Sequence, residues 1–446
     1  MRRRSALLFL VGGVVLGLGC SDRLHVNPLD PGNPDTQGRP WNLSALAQEQ
    51  AVELEWANYQ FEDLATFELR RARVGEPEST LVRLTTDVGS YRDSSLVDGT
   101  DYFYRLVPRL VTGDSIRADG PVLATPGPQV AWAVDTGNGF VARLAPDGRA
   151  IAFRVRGFIS PVAAAVSPLD HRLWVTDTFR GRVVAIDPEG QSTQVIEDFE
   201  SPEAIAITQD GTVIWVADEV AGVVERFTPR GVSLGRSTEL AAPADLALTP
   251  DGSGWVIDTA SGAAVLFDPA LERQAKVEGF VTPLGVVAVP ADTSAWVADF
   301  GGDQVVRVLK DGTLGVAIPV ASPIGLALDS ATQNLWIASF AKGTVDRYRI
   351  AGTTVELIAS ATGFEGPIAL AADPVDGGVW VADQRGDAVV KLTAEGRELG
   401  RTQGYERLLD VVLDPTGGQA PSRLRVRRPH ALKAALNAPS TAPFEP

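Results

Sequence analysis

The sequence contains very little cysteine, methionine and histidine. Of its 446 residues, one is cysteine, one is methionine and three are histidine. A single cysteine excludes an internal disulfide. The 40 basic residues are outnumbered by 56 acidic residues, which gives a formal net charge of −16. The sequence therefore lacks the positive charge that nucleic-acid binding requires, and we expect no nucleic acid among its partners.

The one cysteine, Cys20, stands at the end of an N-terminal apolar run. Arg2, Arg3 and Arg4 precede this run, which extends from about residue 6 to residue 19. The run is short for a membrane span, which needs about 20 apolar residues. Basic residues followed by a short apolar segment are typical of a secretory signal, so we predict that residues 1–19 are a signal peptide.

The residues around Cys20 read Leu16-Gly-Leu-Gly-Cys20. This stretch resembles the lipobox of bacterial lipoproteins, which implies that Cys20 is lipidated and becomes the mature N-terminus. The resemblance implies an exported protein anchored by lipid in the bacterial cell envelope, and the Ser21-Asp22 start favours the outer membrane. The alternative is ordinary signal cleavage with an unmodified cysteine. Residues 20–39, which are interrupted by proline and glycine, are predicted to be the linker between lipid and fold.

Residues 40–126 are predicted to form a small β-sandwich. Ala51-Val-Glu-Leu-Glu-Trp56 alternates apolar and polar residues as a half-buried strand does, and about seven such strands fit the segment. The segment resembles a fibronectin type III domain. Trp56 matches the buried tryptophan of that family, and Tyr102 matches its corner tyrosine. The resemblance implies a spacer or adhesion module whose aromatic residues belong to the core.

The rest of the chain repeats a phrase made of an aromatic residue, two small apolar residues and an aspartate. The tryptophans of the phrase are 42, 41, 40, 41, 40 and 44 residues apart. A period near 40 with several short strands per repeat indicates propeller blades. The seven copies start at Trp132, Trp174, Trp215, Trp255, Trp296, Trp336 and Trp380.

The strand count predicts seven blades within residues 128–418. Each repeat has four predicted strands, and the phrase is the second. The first copy, at Trp132, lacks a first strand before it. At the other end of the array, Leu409-Asp-Val-Val-Leu413 reads as a first strand that is not followed by the other three. We therefore predict that the C-terminal strand completes the first blade and closes the sheet edges. The array resembles the NHL and YncE-like propellers in its repeated Val-Ala-Asp endings. Residues 419–446 are predicted to be a disordered tail.

The aspartates that end the phrase have two interpretations. A ring of carboxylates could hold a divalent cation such as Ca²⁺, which takes six to eight oxygen ligands. Alternatively, each carboxylate accepts N–H groups of its own turn, which the recurrence in nearly every blade favours. The candidates for a metal are Asp135, Asp177, Asp218, Asp258, Asp299 and Asp383.

The loops that follow the phrase are where the repeats differ. Aromatic and arginine side chains there are of the types that anchor partners, and Ser339 replaces the aspartate in one blade. The alternative is ordinary loop variation. The candidate binding face comprises Phe179, Arg180, Glu219, Phe300, Ser339, Phe340, Gln384 and Arg385.

We interpret the sequence as a lipid-anchored, non-catalytic scaffold that binds an envelope protein or glycan and needs no cofactor. No Ser/His/Asp arrangement, zinc spacing or phosphate-binding loop stands out. The array resembles virginiamycin B lyase-like propellers in blade number, but their loop-face histidine has no counterpart. The alternative hypothesis is a metal-dependent hydrolase or lyase, lactonase-like, that uses the acidic residues facing the channel.

Overall fold

The computed structural model describes residues 41–414, apart from 58–62, 117–119, 129, 238–239, 330–331 and 374–375. The predicted signal peptide, the linker with Cys20 and the predicted tail lie outside these residues. No helix within the described ranges is long and apolar enough to cross a membrane. Among the described residues, the contacts define two compact units, one containing 41–45, 54–92 and 102–123 and the other containing 46–53, 93–101 and 124–414.

The described part of the N-terminal region contains seven strands in two sheets. One sheet has the order β1-β2-β5 and the other has the order β4-β3-β6-β7. Phe67 is fully buried and meets Trp41 and Trp56 edge-on, with both ring centroids 6.0 Å from its own. The strands are β1 Ser44–Gln48, β2 Ala51–Glu55, β3 Leu64–Arg73, β4 Ser79–Leu84, β5 Ser90–Ser94, β6 Tyr102–Leu110 and β7 Val122–Ala124.

The remainder forms seven four-stranded antiparallel sheets, which are the seven blades of a β-propeller. Blade 1 has the order β35-β8-β9-β10, and blades 2 to 7 each take four consecutive strands. A 3-10 helix, Thr178–Arg180, lies in blade 2. The strands are β8 Ala131–Asp135, β9 Phe140–Leu144, β10 Ile151–Arg156, β11 Pro161–Val166, β12 Leu173–Asp177, β13 Arg182–Ile186, β14 Ser192–Ile196, β15 Pro202–Ile207, β16 Ile214–Asp218, β17 Val223–Phe227, β18 Ser233–Arg236, β19 Pro243–Leu248, β20 Gly254–Asp258, β21 Ala263–Phe267, β22 Arg273–Glu278, β23 Pro283–Ala288, β24 Ala295–Asp299, β25 Gln304–Val308, β26 Leu314–Pro319, β27 Pro323–Leu328, β28 Leu335–Ser339, β29 Thr344–Ala351, β30 Thr354–Thr362, β31 Pro367–Ala372, β32 Val379–Asp383, β33 Ala388–Leu392, β34 Glu398–Gln403 and β35 Leu408–Leu413.

The repeated phrase is the second strand of each blade, and it is buried along its whole length. In β12, for example, all five residues are buried because both faces of the strand pack against neighbouring blades. A strand covered on two sides reads as a continuous apolar run. This explains why the phrase keeps tryptophan and small apolar residues in every copy.

The last strand closes the ring as the sequence predicts. β35 pairs antiparallel with β8, and Leu408 is opposite Asp135 while Leu413 is opposite Ala131. β35 also contacts β11 of blade 2 and β31 of blade 7, so the inner strands form a continuous circle. Each sheet edge on the channel side therefore faces a neighbouring blade.

Hydrophobic clusters fill the space between successive blades. In one cluster, Trp174 and Val183 of blade 2 pack against Ile205 and Val216 of blade 3. The residue three places before each inner strand belongs to such a cluster and therefore packs between blades. These residues are Phe158, Phe199, Leu240, Phe280, Val320, Phe364 and Tyr405.

Asp-Gly and Glu-Gly turns connect successive strands at several places in the blades. Their glycines have positive φ, for example +86° at Gly190 and +71° at Gly211, a conformation that other residues adopt at a cost. The turn chemistry thus fixes where each strand ends.

Candidate functional site

The loops that follow the repeat aspartates share one face with the loops that lead into the inner strands. We call this surface the loop face, and the surface formed by the turns after the inner strands the turn face. In blade 2, Thr178 N–H donates to the carbonyl of Ser160 at 2.9 Å. Such backbone bonds join the two kinds of loop, so variable side chains on both lie around one mouth of the channel.

Each repeat aspartate holds together the two loops of its own blade. Asp177 accepts hydrogen bonds from Ile159 N–H and Ser160 N–H, both at 2.9 Å, although these residues precede it by 18 and 17 positions. The same pair of bonds, at 2.7–3.2 Å to the nearer oxygen, is made by Asp135, Asp218, Asp258, Asp299 and Asp383.

Each aspartate therefore accepts hydrogen bonds from beyond its own turn. N–H groups of that turn also donate, but at longer distances, such as 3.2 Å from Ala221 to Asp218. Burial raises the pKa of Asp258, but N–H groups of Ala241 and Ala242 and a contact with Ser261 together lower it below its ordinary value. The described residues contain no group of three acidic, histidine or cysteine side chains placed to hold a metal ion.

Ser339 is the exception in the ring, and a residue of the preceding blade compensates for it. Ser339 Oγ donates to the carbonyl of Ala321 at 2.6 Å and accepts only a long bond, 3.4 Å, from Lys342 N–H of its own turn. Among the described residues, it does not take the N–H bonds that the aspartates accept from the two residues before the inner strand. Ser322 N–H donates instead to Asp303 Oδ1 at 2.8 Å. Blade 6 thus keeps one capping bond through a carboxylate of blade 5.

Three of the candidate binding residues come together across blades 5, 6 and 7. The ring centroids of Phe300 and Phe340 are 6.3 Å apart, and the Arg385 guanidinium carbon lies 4.4 Å from the centroid of the Phe340 ring. Gly366 packs closely beneath them, since a Cβ there would lie 3.0 Å from both Phe340 and Arg385. We call Phe300, Phe340 and Arg385 the aromatic–arginine cluster.

Arg385 is exposed, and no described residue forms a hydrogen bond or ion pair with its side chain. The two phenylalanines are half-buried. Stacking on an aromatic ring fixes the guanidinium while its N–H groups still point to solvent. The cluster is therefore an ordered cationic and apolar patch.

The other candidate residues lie elsewhere on the loop face. Phe179 is 80% exposed, and Arg180 donates to the carbonyl of Gly157 at 2.6 Å. Glu219 follows Asp218 in blade 3, and Gln384 donates to the carbonyl of Leu408 at 3.2 Å. Within the described chain, no ring contact joins Phe179 to the aromatic–arginine cluster.

Two carboxylates on the inner strands were missed from sequence. Asp245 accepts a bond from Val286 N–H at 2.8 Å, and Asp410 accepts one from Ala164 N–H at 3.0 Å, each in the following blade. Burial raises the pKa of Asp245 to about 7 and that of Asp410 to about 6. Alignment of the inner strands could have found them, because the same position elsewhere is alanine or glycine, as at Gly285.

Glu203 is a third acidic residue near the channel mouth. Burial raises its pKa, with Glu219 and Asp218 adding to the effect, while Ser201 and Arg407 oppose it. The acidic residues near the channel thus belong to several blades.

No protein-family model matches the chain, and no curated protein matches it. Solved structures do. A functionally unknown protein from Desulfotomaculum acetoxidans is similar at a TM-score of 0.56 and 14% identity, over 64% of this chain and 98% of that one. A protein from Lactobacillus plantarum is similar at a TM-score of 0.54 and 15% identity, over 64% of this chain and 99% of that one. The likeness is one of fold.

A virginiamycin B lyase from Staphylococcus aureus is also similar, at a TM-score of 0.48 and 16% identity, over 55% of this chain and 84% of that one. In blade 2 of the present chain, His171 lies on the turn face, where its Nδ1 is 2.7 Å from Asp414 Oδ2.

Proposed function

We propose that the propeller is a binding scaffold whose loop face captures a partner through the aromatic–arginine cluster. The observation that carries the proposal is the stacking of Arg385 on Phe340 without an acidic partner among the described residues. The chain has a net charge of −16, and Arg385 is one of its exposed positive charges. Arginine and aromatic residues are also the types enriched at binding hot spots.

The repeat aspartates support a scaffold more than the metal-dependent hydrolase or lyase. In every blade that has a repeat aspartate, its oxygens accept backbone N–H groups, so each carboxylate has a structural role. The aromatic–arginine cluster, by contrast, is built once, from one residue each of blades 5, 6 and 7. The other four blades form without such a cluster.

The partner that we propose is another component of the cell envelope, either a protein or a glycan. The Leu16-Gly-Leu-Gly-Cys20 stretch supports this, because a lipid on Cys20 would keep the chain at a membrane surface, with the outer membrane as the expected location. A serine at position 20 should release the protein from membranes. Unchanged membrane fractionation of Cys20→Ser would contradict the anchor without bearing on the cluster.

The N-terminal region is, in our proposal, a fibronectin type III-like spacer. Its sheet orders, β1-β2-β5 and β4-β3-β6-β7, support this, as do the fully buried Tyr102 and the nearly buried Trp56. A corner tyrosine and an inner tryptophan are features of such sandwiches.

The test of the loop face is site-specific cross-linking in the full chain. A photoreactive phenylalanine replaces Phe340, and the matched control replaces Leu169, which is 62% exposed on the turn face. We expect one envelope species to cross-link at 340 and not at 169. Equal cross-linking at both positions would contradict a binding role for the loop face.

The purified partner then gives a quantitative test. The triple change Phe300→Ala, Phe340→Ala and Arg385→Ala is expected to weaken its affinity at least tenfold, whereas Leu169→Ala leaves it unchanged. An unchanged affinity of the triple variant, with an unchanged melting temperature, would overturn the proposal.

A further inference from the structure

A cation lies over the repeat tryptophan in most blades. In five of them it comes from the third strand, directly opposite the tryptophan in the register. The distances from cation to ring centroid are 4.9–5.9 Å. The pairs are Arg143 with Trp132, Arg226 with Trp215, Arg307 with Trp296, Arg347 with Trp336, and Lys391 with Trp380.

Four of these cations have a carboxylate from the turn that follows the inner strand. Asp292 is 2.6 Å from Arg307, and Asp329 is 3.0 Å from Arg347. Lys391 is held by two acidic residues of its turn, and Asp414 acts electrostatically on Arg143. A buried cation is stabilised by such a partner, so the pairing is part of the blade design.

Arg226 of blade 3 is the exception. Thr208 occupies the place that Asp329 has in blade 6, and its hydroxyl donates to Asp210 at 2.6 Å. Arg226 Nε is buried and has no hydrogen-bond partner, and none of the described carboxylates lies within ion-pair distance of its guanidinium. Burial lowers the pKa of Arg226, with Asp268 opposing the effect from a distance.

Arg226 lines a cleft of about 440 Å³ between blades 3 and 4. Pockets for small ligands have volumes of about 300–1,000 Å³. Pro250 and Pro269 form apolar walls, and Asp210 and Asp251 contribute carboxylates. The cation that has no ion pair among the described residues therefore also lines the cleft.

The two carboxylates that line the cleft are ionised at neutral pH. Hydrogen bonds from the Thr208 and Thr212 hydroxyls and from Thr212 N–H lower the pKa of Asp210. For Asp251, the bond from the Thr249 hydroxyl is the largest cause and again lowers the pKa. Lys310 Nζ lies 3.8 Å from Asp251 and partly neutralises it, so Asp210 is the stronger negative charge at the cleft. A simple anion would be repelled by Asp210 on its way to Arg226, whereas a ligand with both signs is attracted by both residues.

We propose that this cleft binds a compact zwitterion of the amino-acid or short-peptide class. Its carboxylate pairs with Arg226 from within the cleft, in the planar geometry that guanidinium and carboxylate share. Its ammonium group lies at Asp210 and Asp251. The site is on the turn face and is independent of the function proposed for the loop face.

Calorimetric titration of the full chain with glycylglycine, acetate and methylamine tests the site. Glycylglycine carries both charges, whereas each of the other two probes carries one. We expect glycylglycine to bind at least tenfold more tightly than acetate or methylamine. An equal affinity for acetate would overturn the zwitterion, and the absence of any glycylglycine binding would overturn the site.

Two variants and one control locate the binding. Arg226→Met removes the charge, and Thr208→Asp supplies the internal carboxylate that blades 6 and 7 possess; both should weaken glycylglycine binding at least tenfold. Arg307→Met removes a cation that is already paired with Asp292, and it should leave binding unchanged. If Thr208→Asp melts no lower than the parent and still binds glycylglycine equally, the assignment to Arg226 is wrong.

Discussion

Asp410 on the last strand accepts a hydrogen bond from the N–H of Ala164 on the inner strand of blade 2, at 3.0 Å. The bond joins residues 246 positions apart and adds a side-chain contact to the pairing of β35 with β8. At the other end of β35, Asp414 Oδ2 lies 2.7 Å from His171 Nδ1, and both side chains are buried. The closing strand is thus attached to blade 2 at both ends.

The contact between His171 and Asp414 should contribute measurably to closure. His171→Ala and Asp414→Ala are each expected to lower the free energy of unfolding by about 1–3 kcal/mol, because each removes a hydrogen bond between two buried side chains. The double variant should lose less than the sum of the two. Chemical denaturation of the four proteins measures this, and strict additivity would mean that the contact carries no coupling energy.

Asp303 should contribute to stability only because position 339 is serine and not aspartate. Asp303→Ala removes the acceptor of Ser322 N–H in an exposed hydrogen bond, so we expect the free energy of unfolding to fall by about 0.5–1.5 kcal/mol. Adding Ser339→Asp supplies the carboxylate that the other six blades have and should restore most of this loss. A double variant no more stable than Asp303→Ala would contradict the compensation.

The cations over the repeat tryptophans should differ in how much they contribute to stability, because only some of them are paired with a carboxylate. Asp329→Asn leaves Arg347 as a buried charge with a weaker partner, and we expect a loss of about 3 kcal/mol. Arg226→Met removes a cation that has no ion pair in the described structure and should cost less than about 1 kcal/mol. Equal losses in thermal unfolding would show that the two blades do not differ in this way.

Stability should fall as the pH rises through the titration of the inner carboxylates. The pKa values of Asp245 and Asp410, about 7 and about 6 in the folded protein, lie above the ordinary 3.8, so the folded state retains protons that the unfolded state has lost. Their contribution is therefore greatest below pH 4 and is lost between pH 4 and pH 7.

Replacement of both residues by asparagine should flatten this dependence. Because asparagine can still accept one N–H bond and carries no charge, Asp245→Asn/Asp410→Asn is expected to gain several kcal/mol relative to the parent at pH 8 when each is referenced to its stability at pH 4. Asp387→Asn, on an exposed loop, is the control. An unchanged slope for the double variant would contradict the prediction.

Much of the fold is readable from the sequence because one structural unit recurs. The tryptophan spacing gave the seven blades, and the unaccompanied strand at Leu409 gave the closure, both of which the structure confirms. These features follow from period and count. They need no knowledge of which side chains meet in space.

The candidate site was less predictable because it depends on contacts between blades. The sequence placed Phe300, Phe340 and Arg385 on one face, but not within stacking distance of one another. The unpaired state of Arg226 was missed because it requires aligning Thr208 with Asp329 and knowing that the third strand carries the cation opposite. Local patterns do not contain that information.

The pairing of β35 with β8 also has a consequence for biosynthesis. Blades 2 to 7 are each contiguous in the chain, so they can form in order as the polypeptide leaves the ribosome. Blade 1 cannot, since its innermost strand is made more than 270 residues after its second strand. Until then β8 has an unpaired edge, and the nascent protein depends on prompt completion of translation to avoid pairing with a neighbour.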